Sequence, residues 1–319
     1  MPCVIAAPAS GNGKTLLSLL LCSWANSKDK SIQTFKVGPD YLDPQQLSLI
    51  SKKPCRNLDL ILCGKKWVRN SFYTHSQKSD LTLVEGVMGL FDGLGSSHKG
   101  STAEISKYLN LPVILIVNAK GQSASIAALV KGFRELDKQL NIAGVVLNNV
   151  NTDRHKKLLT DVLKSIKVKV LGCLPTKNEL VLTNQYLGLA PAHELKDVDK
   201  KIKLWASYAN KYLDINYFHN LLLSPTPTLR NNIDYYERNN IEPILNKASI
   251  AIAQDEAFHF RYPETKEFLE NLGIEIIDWK PTDDEPIPDD VKGLIIPGGY
   301  PEQFAEQISC SKRALKSLK

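Results

Sequence analysis

Three stretches of this sequence carry residue types suited to handling phosphate and carboxylate groups. Ala7–Thr15 reads A-P-A-S-G-N-G-K-T. A glycine-rich run ending in Lys-Thr turns successive backbone N–H groups toward phosphate oxygens, and a helix opening behind it adds its dipole. Ser10, Gly11, Asn12, Gly13, Lys14 and Thr15 are therefore the candidate nucleotide-binding residues. Lys14 would bridge the β- and γ-phosphates of ATP, and the Thr15 hydroxyl would ligate Mg2+. Pro8 stands where the first glycine of the usual pattern would be. The second stretch, Phe35–Pro44, reads F-K-V-G-P-D-Y-L-D-P and sets Asp40 and Asp43 in a proline-bounded loop. The third, Glu85–Gly93, reads E-G-V-M-G-L-F-D-G, with an acid at each end and glycines that let the backbone approach a ligand. Asp40, Asp43, Glu85 and Asp92 are the candidate catalytic acids. Thr15, Asp43 and Glu85 offer the hard oxygen donors that Mg2+ prefers. Lys36 and Tyr41 are candidate substrate contacts. The plainer alternatives are turn aspartates and a solvated Lys36. Lys120 and Gln122, after a later strand, are further candidates for approaching nucleotide or substrate.

These residues need a scaffold, and the apolar pattern supplies one. Short buried runs at Pro2–Ala7, Ile32–Val37, Leu81–Val87, Pro112–Ala119, Ile142–Val150 and Val168–Leu174 read as strands. Lys14–Asn26, Ser123–Leu136 and Asp153–Ile166 carry helix spacing. Strands alternating with helices imply right-handed crossovers and a mainly parallel sheet. Ligands bind at the carboxyl edge of such a sheet, where the three stretches fall. Lys196–Leu223 reads as one helix. Residues 224–246 are polar and contain three prolines, a linker pattern. Ser249–Gln254, Pro263–Leu272, Ile274–Trp279 and Gly293–Pro297 then begin a second strand–helix–strand series. The expected division is a domain at 1–223, a linker at 224–246 and a second domain at 247–319.

Composition excludes several classes. The 319 residues hold 40 Lys and Arg against 34 Asp and Glu, a net charge of +6 that suits an anionic small molecule. No basic block interleaved with aromatics points to nucleic acid, and no apolar run reaches membrane-span length. The six cysteines form no C-x-x-C pair, which argues against zinc or redox work. No secretory leader pattern opens the chain, so a cytoplasmic location with reduced thiols is expected. The histidines are scattered, with no Ser-His-Asp or Cys-His arrangement among them.

The three stretches, together with R-N-L-D at Arg56–Asp59, G-S-T-A-E-I at Gly100–Ile105, A-G-V-V-L-N at Ala143–Asn148, A-x-D-E-A-F at Ala253–Phe258 and P-G-G-Y-P-E at Pro297–Glu302, resemble the cobyrinate a,c-diamide synthase family in order along the chain. The resemblance implies a P-loop NTPase-like, dethiobiotin-synthetase-like mainly parallel α/β sheet, followed by a class I glutamine amidotransferase α/β domain. It implies ATP-dependent amidation of the a and c acetates of cobyrinate or hydrogenobyrinate through an acyl phosphate, in cobalamin biosynthesis. It also implies Mg2+, a corrinoid-precursor substrate, and glutamine or ammonia as nitrogen donor. A homodimer is left open. Carried over by motif, Asp40, Tyr41, Asp43, Glu85 and Asp92 belong to the substrate and metal site.

Two departures qualify the resemblance. The family's glutaminase cysteine lies in a glycine elbow beyond P-G-G-Y-P-E, whereas Cys310 sits in Q-I-S-C-S-K-R without one. The expectation is a glutaminase portion truncated before its nucleophile. Gln185 and Tyr186 also replace an Arg-His pair common before L-G-L. Competing readings are a Ni-sirohydrochlorin a,c-diamide synthase, a dethiobiotin-synthetase-like enzyme, a non-functional remnant and a ParA-like ATPase. Ala9-Ser10-Gly11 lacks the extra loop lysine of the last group.

Overall fold

A computed structural model describes residues 2–180, 182, 184–185, 188–189, 191–195, 197–226 and 248–318. The chain divides into two compact units, Met1–Tyr235 and Tyr236–Lys319. Most of the expected linker, 227–246, and Tyr186 lie outside the described residues.

The first unit is built on seven strands: β1 (Cys3–Ala6), β2 (Ile32–Val37), β3 (Arg56–Leu58), β4 (Leu81–Glu85), β5 (Val113–Asn118), β6 (Ile142–Asn148) and β7 (Val170–Leu174). They form one sheet in the order β3-β2-β4-β1-β5-β6-β7, and every pairing is parallel. Parallel strands need helical crossovers, which cover both faces and make the strands apolar on both sides. Side-chain parity then sorts the core into two layers. Cys3, Ile5, Ile32, Leu81 and Leu83 join the layer under α1 (Lys14–Asn26), α2 (Leu42–Ser51), α7 (Val198–Tyr212) and α8 (Ile215–Asn220). Val4, Ala6, Phe35, Val37 and Val84 join the layer under α3 (Gly64–Ser76), α4 (Thr102–Leu109), α5 (Ile126–Leu136) and α6 (Asp153–Ser165). Each leucine-sized side chain so buried stabilises the fold by roughly 1.5–3 kcal/mol.

Local chemistry sets the helix ends. The Ser101 hydroxyl caps α4 through the Glu104 N–H at 3.2 Å, and the Glu104 carboxylate returns to the Gly100 N–H at 2.6 Å. This resembles a capping box shifted by one residue. The helix expected at Lys196–Leu223 divides in two. Leu213 takes an extended conformation that ends α7, and the Asp214 carboxylate caps α8 through the Tyr217 N–H at 3.1 Å. The acidic stretch expected as a loop is partly helical: Asp43 lies in the first turn of α2.

In the first unit, β8 (Asn184–Gln185) and β9 (Gly188–Leu189) form a small antiparallel pair. The second unit has a three-stranded parallel sheet in the order β11-β10-β12, from β10 (Ser249–Ala253), β11 (Glu275–Trp279) and β12 (Gly293–Ile295). α9 (Pro263–Asn271), α10 (Ala305–Cys310) and α11 (Lys312–Ser317) complete it. No helix among the described residues is long and apolar enough to cross a membrane.

Candidate active site

Parity and register bring the charged residues together. Lys36 follows Ile32 by four residues and Glu85 follows Leu81 by four, so both point into the layer that holds α1. The strand register places Lys36 opposite Glu85 on one side and opposite Asn57 on the other. The Lys36 ammonium donates to Glu85 Oε1 at 2.9 Å and to the Asp43 carboxylate, and lies 3.6 Å from Asp40 Oδ2. Glu85 Oε1 also accepts from the Thr15 hydroxyl at 2.7 Å. The phosphate loop and both acidic stretches thus converge on one charged cluster at the carboxyl edge of the sheet.

Burial gives that cluster its character. Glu85 is 0% and Lys36 2% exposed, which overturns the solvated alternative for Lys36. Burial alone would lower the Lys36 pKa, but Glu85, Asp43 and Asp40 outweigh it and hold the ammonium above the ordinary lysine value. For Glu85, burial dominates and raises the carboxyl above its usual range, against the pull of Lys36. Burial also raises Asp40, again against Lys36. At Asp43 burial is overcome by the Lys36 contact, so its carboxyl stays low. Glu85 Oε2 is buried with no hydrogen-bond partner. A buried orphan oxygen in a polar cluster marks a place for a ligand or an ion.

The phosphate loop is braced by other strand tips. Asn148 at the end of β6 donates to the Asn12 carbonyl at 3.0 Å, and the Asn118 N–H at the end of β5 donates to Asn12 Oδ1 at 3.0 Å. Gly13 has φ +108°, and a Cβ there would stand 2.6 Å from Asn148 Nδ2, so only glycine fits. Gly13 also opens α1 with no side-chain cap. The first amides of α1 are left for a ligand. Lys14 donates to the Met88 carbonyl at 2.5 Å, and Met88 is held at φ +45°. Burial, with Lys36 as the second cause, lowers the Lys14 pKa to about 8, partly opposed by Glu85, Asp43 and Asp92.

A cavity of about 400 Å³ opens over this arrangement, lined by Ser10, Gly11, Gly13, Lys14, Thr15, Lys36, Asp40, Asp43, Met88 and Asn148 among others. Tyr41 and Asp92 do not line it. Asp40 Oδ1 accepts the N–H groups of Leu42 and Asp43 at 2.9 and 3.3 Å, so it also shapes the start of α2. Asp92 is exposed, and its carboxylate holds the Gly89 N–H at 2.7 Å, fixing the turn that presents Met88. The Lys120 side chain is exposed and the Gln122 carbonyl is bonded to His155 Nε2 at 2.9 Å; neither lines the cavity. Sequence reasoning passed over Met88, Asn118, Asn148 and Asn57. The run L-N-N at a strand's carboxyl end was the available signal for Asn148.

The residues match the CobQ/CobB/MinD/ParA nucleotide binding domain over 3–185. Cobyrinate a,c-diamide synthase of Caldanaerobacter subterraneus subsp. tengcongensis is 38% identical over 99% of this chain and 68% of its own length. The chain belongs to the cobyrinate a,c-diamide synthase family. Family members of the same name from a Synechococcus species and from Limosilactobacillus reuteri are 40% and 39% identical, over 97% and 99% of this chain and 67% and 68% of their own lengths. The chain thus spans about two thirds of the length of these family members. Among solved structures, chloroplast FtsY from Physcomitrella patens aligns over 64% of this chain and 65% of its own at 13% identity and a TM-score of 0.41, too remote to bear on function.

The second unit brings two of the family's sequence words together. Asp255 Oδ1 accepts the Ala257 and Phe258 N–H groups at 2.9 Å, and its Oδ2 accepts from the Thr282 hydroxyl at 2.9 Å. The P-G-G-Y turn packs on this loop: the Tyr300 N–H reaches the Ala257 carbonyl at 3.0 Å. Cys310 is exposed at the end of α10.

Proposed function

We propose that this chain is an ATP-dependent ligase that amidates the a and c acetates of cobyrinate through an acyl phosphate. The relatives' name supplies the acceptor, and the nucleotide-binding domain supports the use of ATP. The observation that carries the reading is the meeting of Thr15, Lys36, Asp43 and Glu85 within hydrogen-bond reach, with Thr15, Lys36 and Asp43 lining the cavity and Glu85 buried behind them.

The amides of Gly11–Lys14 receive phosphate oxygens, and Lys14 leaves the Met88 carbonyl for them. Mg2+ fits the donors, since Glu85 Oε2 is free, Thr15 keeps its lone pairs and all are hard oxygens. Among the described residues no three or more His, Cys, Asp or Glu side chains form a metal cage, so water and phosphate would complete its shell. When bound, the ion neutralises charge on the phosphates. Lys36 holds the Asp43 carboxyl low and hydrogen-bonds Glu85 in place, so that the acceptor carboxylate meets a fixed arrangement. The acetate oxygen attacks the γ-phosphorus as ADP leaves. Ammonia then adds to the acyl carbon, phosphate departs, and Asp40 Oδ2 takes the released proton, a role suited to its raised pKa. The nitrogen comes from glutamine or from free ammonia.

ADP release measured with ammonium chloride, in the presence and absence of cobyrinate, tests this reading. Release that depends on both, with a mono- and then diamide by mass spectrometry, is expected. ATP hydrolysis indifferent to cobyrinate would sink it in favour of a ParA-like cycle.

A further inference from the structure

The first unit carries an unusual surface beside the acidic cluster. Leu62 and Leu94 are 68% and 61% exposed, and Ile61 joins them. They lie on the loops that follow β3 and β4, whereas the other exposed leucines of this unit, Leu49, Leu136, Leu158 and Leu223, are spread over different elements. Contiguous exposed apolar side chains mark a place of binding more often than scattered ones do.

The surface is fixed in shape. Asp59 Oδ1 accepts the Ile61 and Leu62 N–H groups at 2.7 and 2.9 Å, which folds residues 59–62 into a tight turn with both side chains outward. The Ile61 side chain lies over Gly100, where a Cβ would come within 2.6 Å of it. That approach of Ile61 to Gly100 brings the two loops together, and within the second loop the Leu94 N–H bonds the Lys99 carbonyl at 2.9 Å. Tyr108 donates to the Lys65 carbonyl at 2.8 Å and fastens the start of α3 alongside. Asn57 links the turn to the acids, donating to the carbonyls of Gly38 and Asp40 at 2.8 Å.

Charge completes the description. From Leu60 to Ser79 and from Gly93 to Ala103 there is no Asp or Glu, in a chain that has 34. Lys65, Lys66 and Lys99 are exposed in those segments. Apolar side chains edged by amino groups, with the nearby Asp59 and Glu104 carboxylates engaged by backbone N–H groups, complement a flat apolar ring that carries carboxylates on its rim.

We propose that Ile61, Leu62 and Leu94, edged by Lys65, Lys66 and Lys99, are the seat on which the acceptor macrocycle lies while one of its acetates enters the cavity at Asp40 and Asp43. The inference rests on the amidation reading above and adds where the substrate sits. The seat sets how the ring is held, and the turn capped by Asp59 sets how far the ring lies from the cluster.

The test compares the unaltered chain with Leu62→Ser/Leu94→Ser, using cobyrinate in equilibrium dialysis and in the ammonium-dependent reaction. The Kd and KM for cobyrinate should rise about tenfold or more, the loss expected when a leucine-sized contact is uncovered, while the Kd for ATP holds. A Lys65→Glu/Lys66→Glu variant should also bind cobyrinate more weakly and lose most of the salt dependence shown by the parent. An unchanged cobyrinate Kd in the serine variant, with ATP still bound, overturns the seat and leaves the reaction standing. An unaltered chain that neither binds nor amidates cobyrinate overturns both.

Discussion

Two buried lysines at one sheet edge are held in opposite ways. Lys14 sits at the mouth of the phosphate loop against a single neutral carbonyl, and its pKa falls to about 8. Lys36 sits at the strand tips among three carboxylates, and its charge is locked in. A carbonyl can be exchanged for a phosphate at small cost. Carboxylates packed around a buried cation, one of them fully buried, cannot release it without leaving uncompensated charge. The difference assigns a mobile role to the first lysine and a fixed one to the second.

Replacing each lysine by methionine should separate the two roles most clearly. Lys36→Met leaves Asp43 and buried Glu85 without their cation, so a loss of roughly 3–5 kcal/mol in denaturant unfolding is expected, with activity abolished. Lys14→Met removes a burdened charge, so thermal stability should hold. The Kd for ATP should instead rise roughly 10–100-fold in calorimetry, the worth of a charge-assisted contact. Equal destabilisation by both changes would erase the distinction.

A pH titration sharpens it. Below about pH 8 Lys14 is already protonated in the free protein and ready for phosphate. Above that value the amine is neutral and must take up a proton on binding, so the Kd for ATP should rise by up to about tenfold per pH unit. Lys36 stays charged throughout, so unfolding free energy should show no matching step from it. The smallest effect concerns the carbonyl that holds Lys14. Met88→Gly relieves a φ of +45° that costs an ordinary residue roughly 1–3 kcal/mol, offset in part by added chain entropy. A net gain of up to about 1 kcal/mol in unfolding is expected.

Much of this architecture was legible in the amino-acid order. Lys14–Asn26 and Ile32–Val37 have the same bounds in sequence and structure: the long apolar period of the first leaves little choice, and the second, I-Q-T-F-K-V, is set off by its β-branched and aromatic residues although half of it is polar. β3 was not legible: it has three residues, two of them polar, and is fixed by pairing with β2 rather than by its own pattern. α2 was hidden by prolines that favour turns, yet Pro44 lies in its first turn, where a missing N–H costs little. For the site, residue types could be read but register could not. That Lys36 faces Glu85 depends on how β2 aligns with β4, which no single strand encodes. The carbonyl of Met88 carries no side-chain signal at all.

The distribution of thiols gives this molecule an internal clock. Cys3, Cys22, Cys55 and Cys173 are buried, while Cys63 and Cys310 are open to solvent. Burial pushes the Cys3 thiol up to about 12 and raises Cys22 and Cys55 as well, which suppresses the reactive thiolate. An alkylating reagent should therefore mark one position in each unit within its ordinary reaction time. The interior positions of the first unit should follow only as fast as the seven-stranded sheet opens.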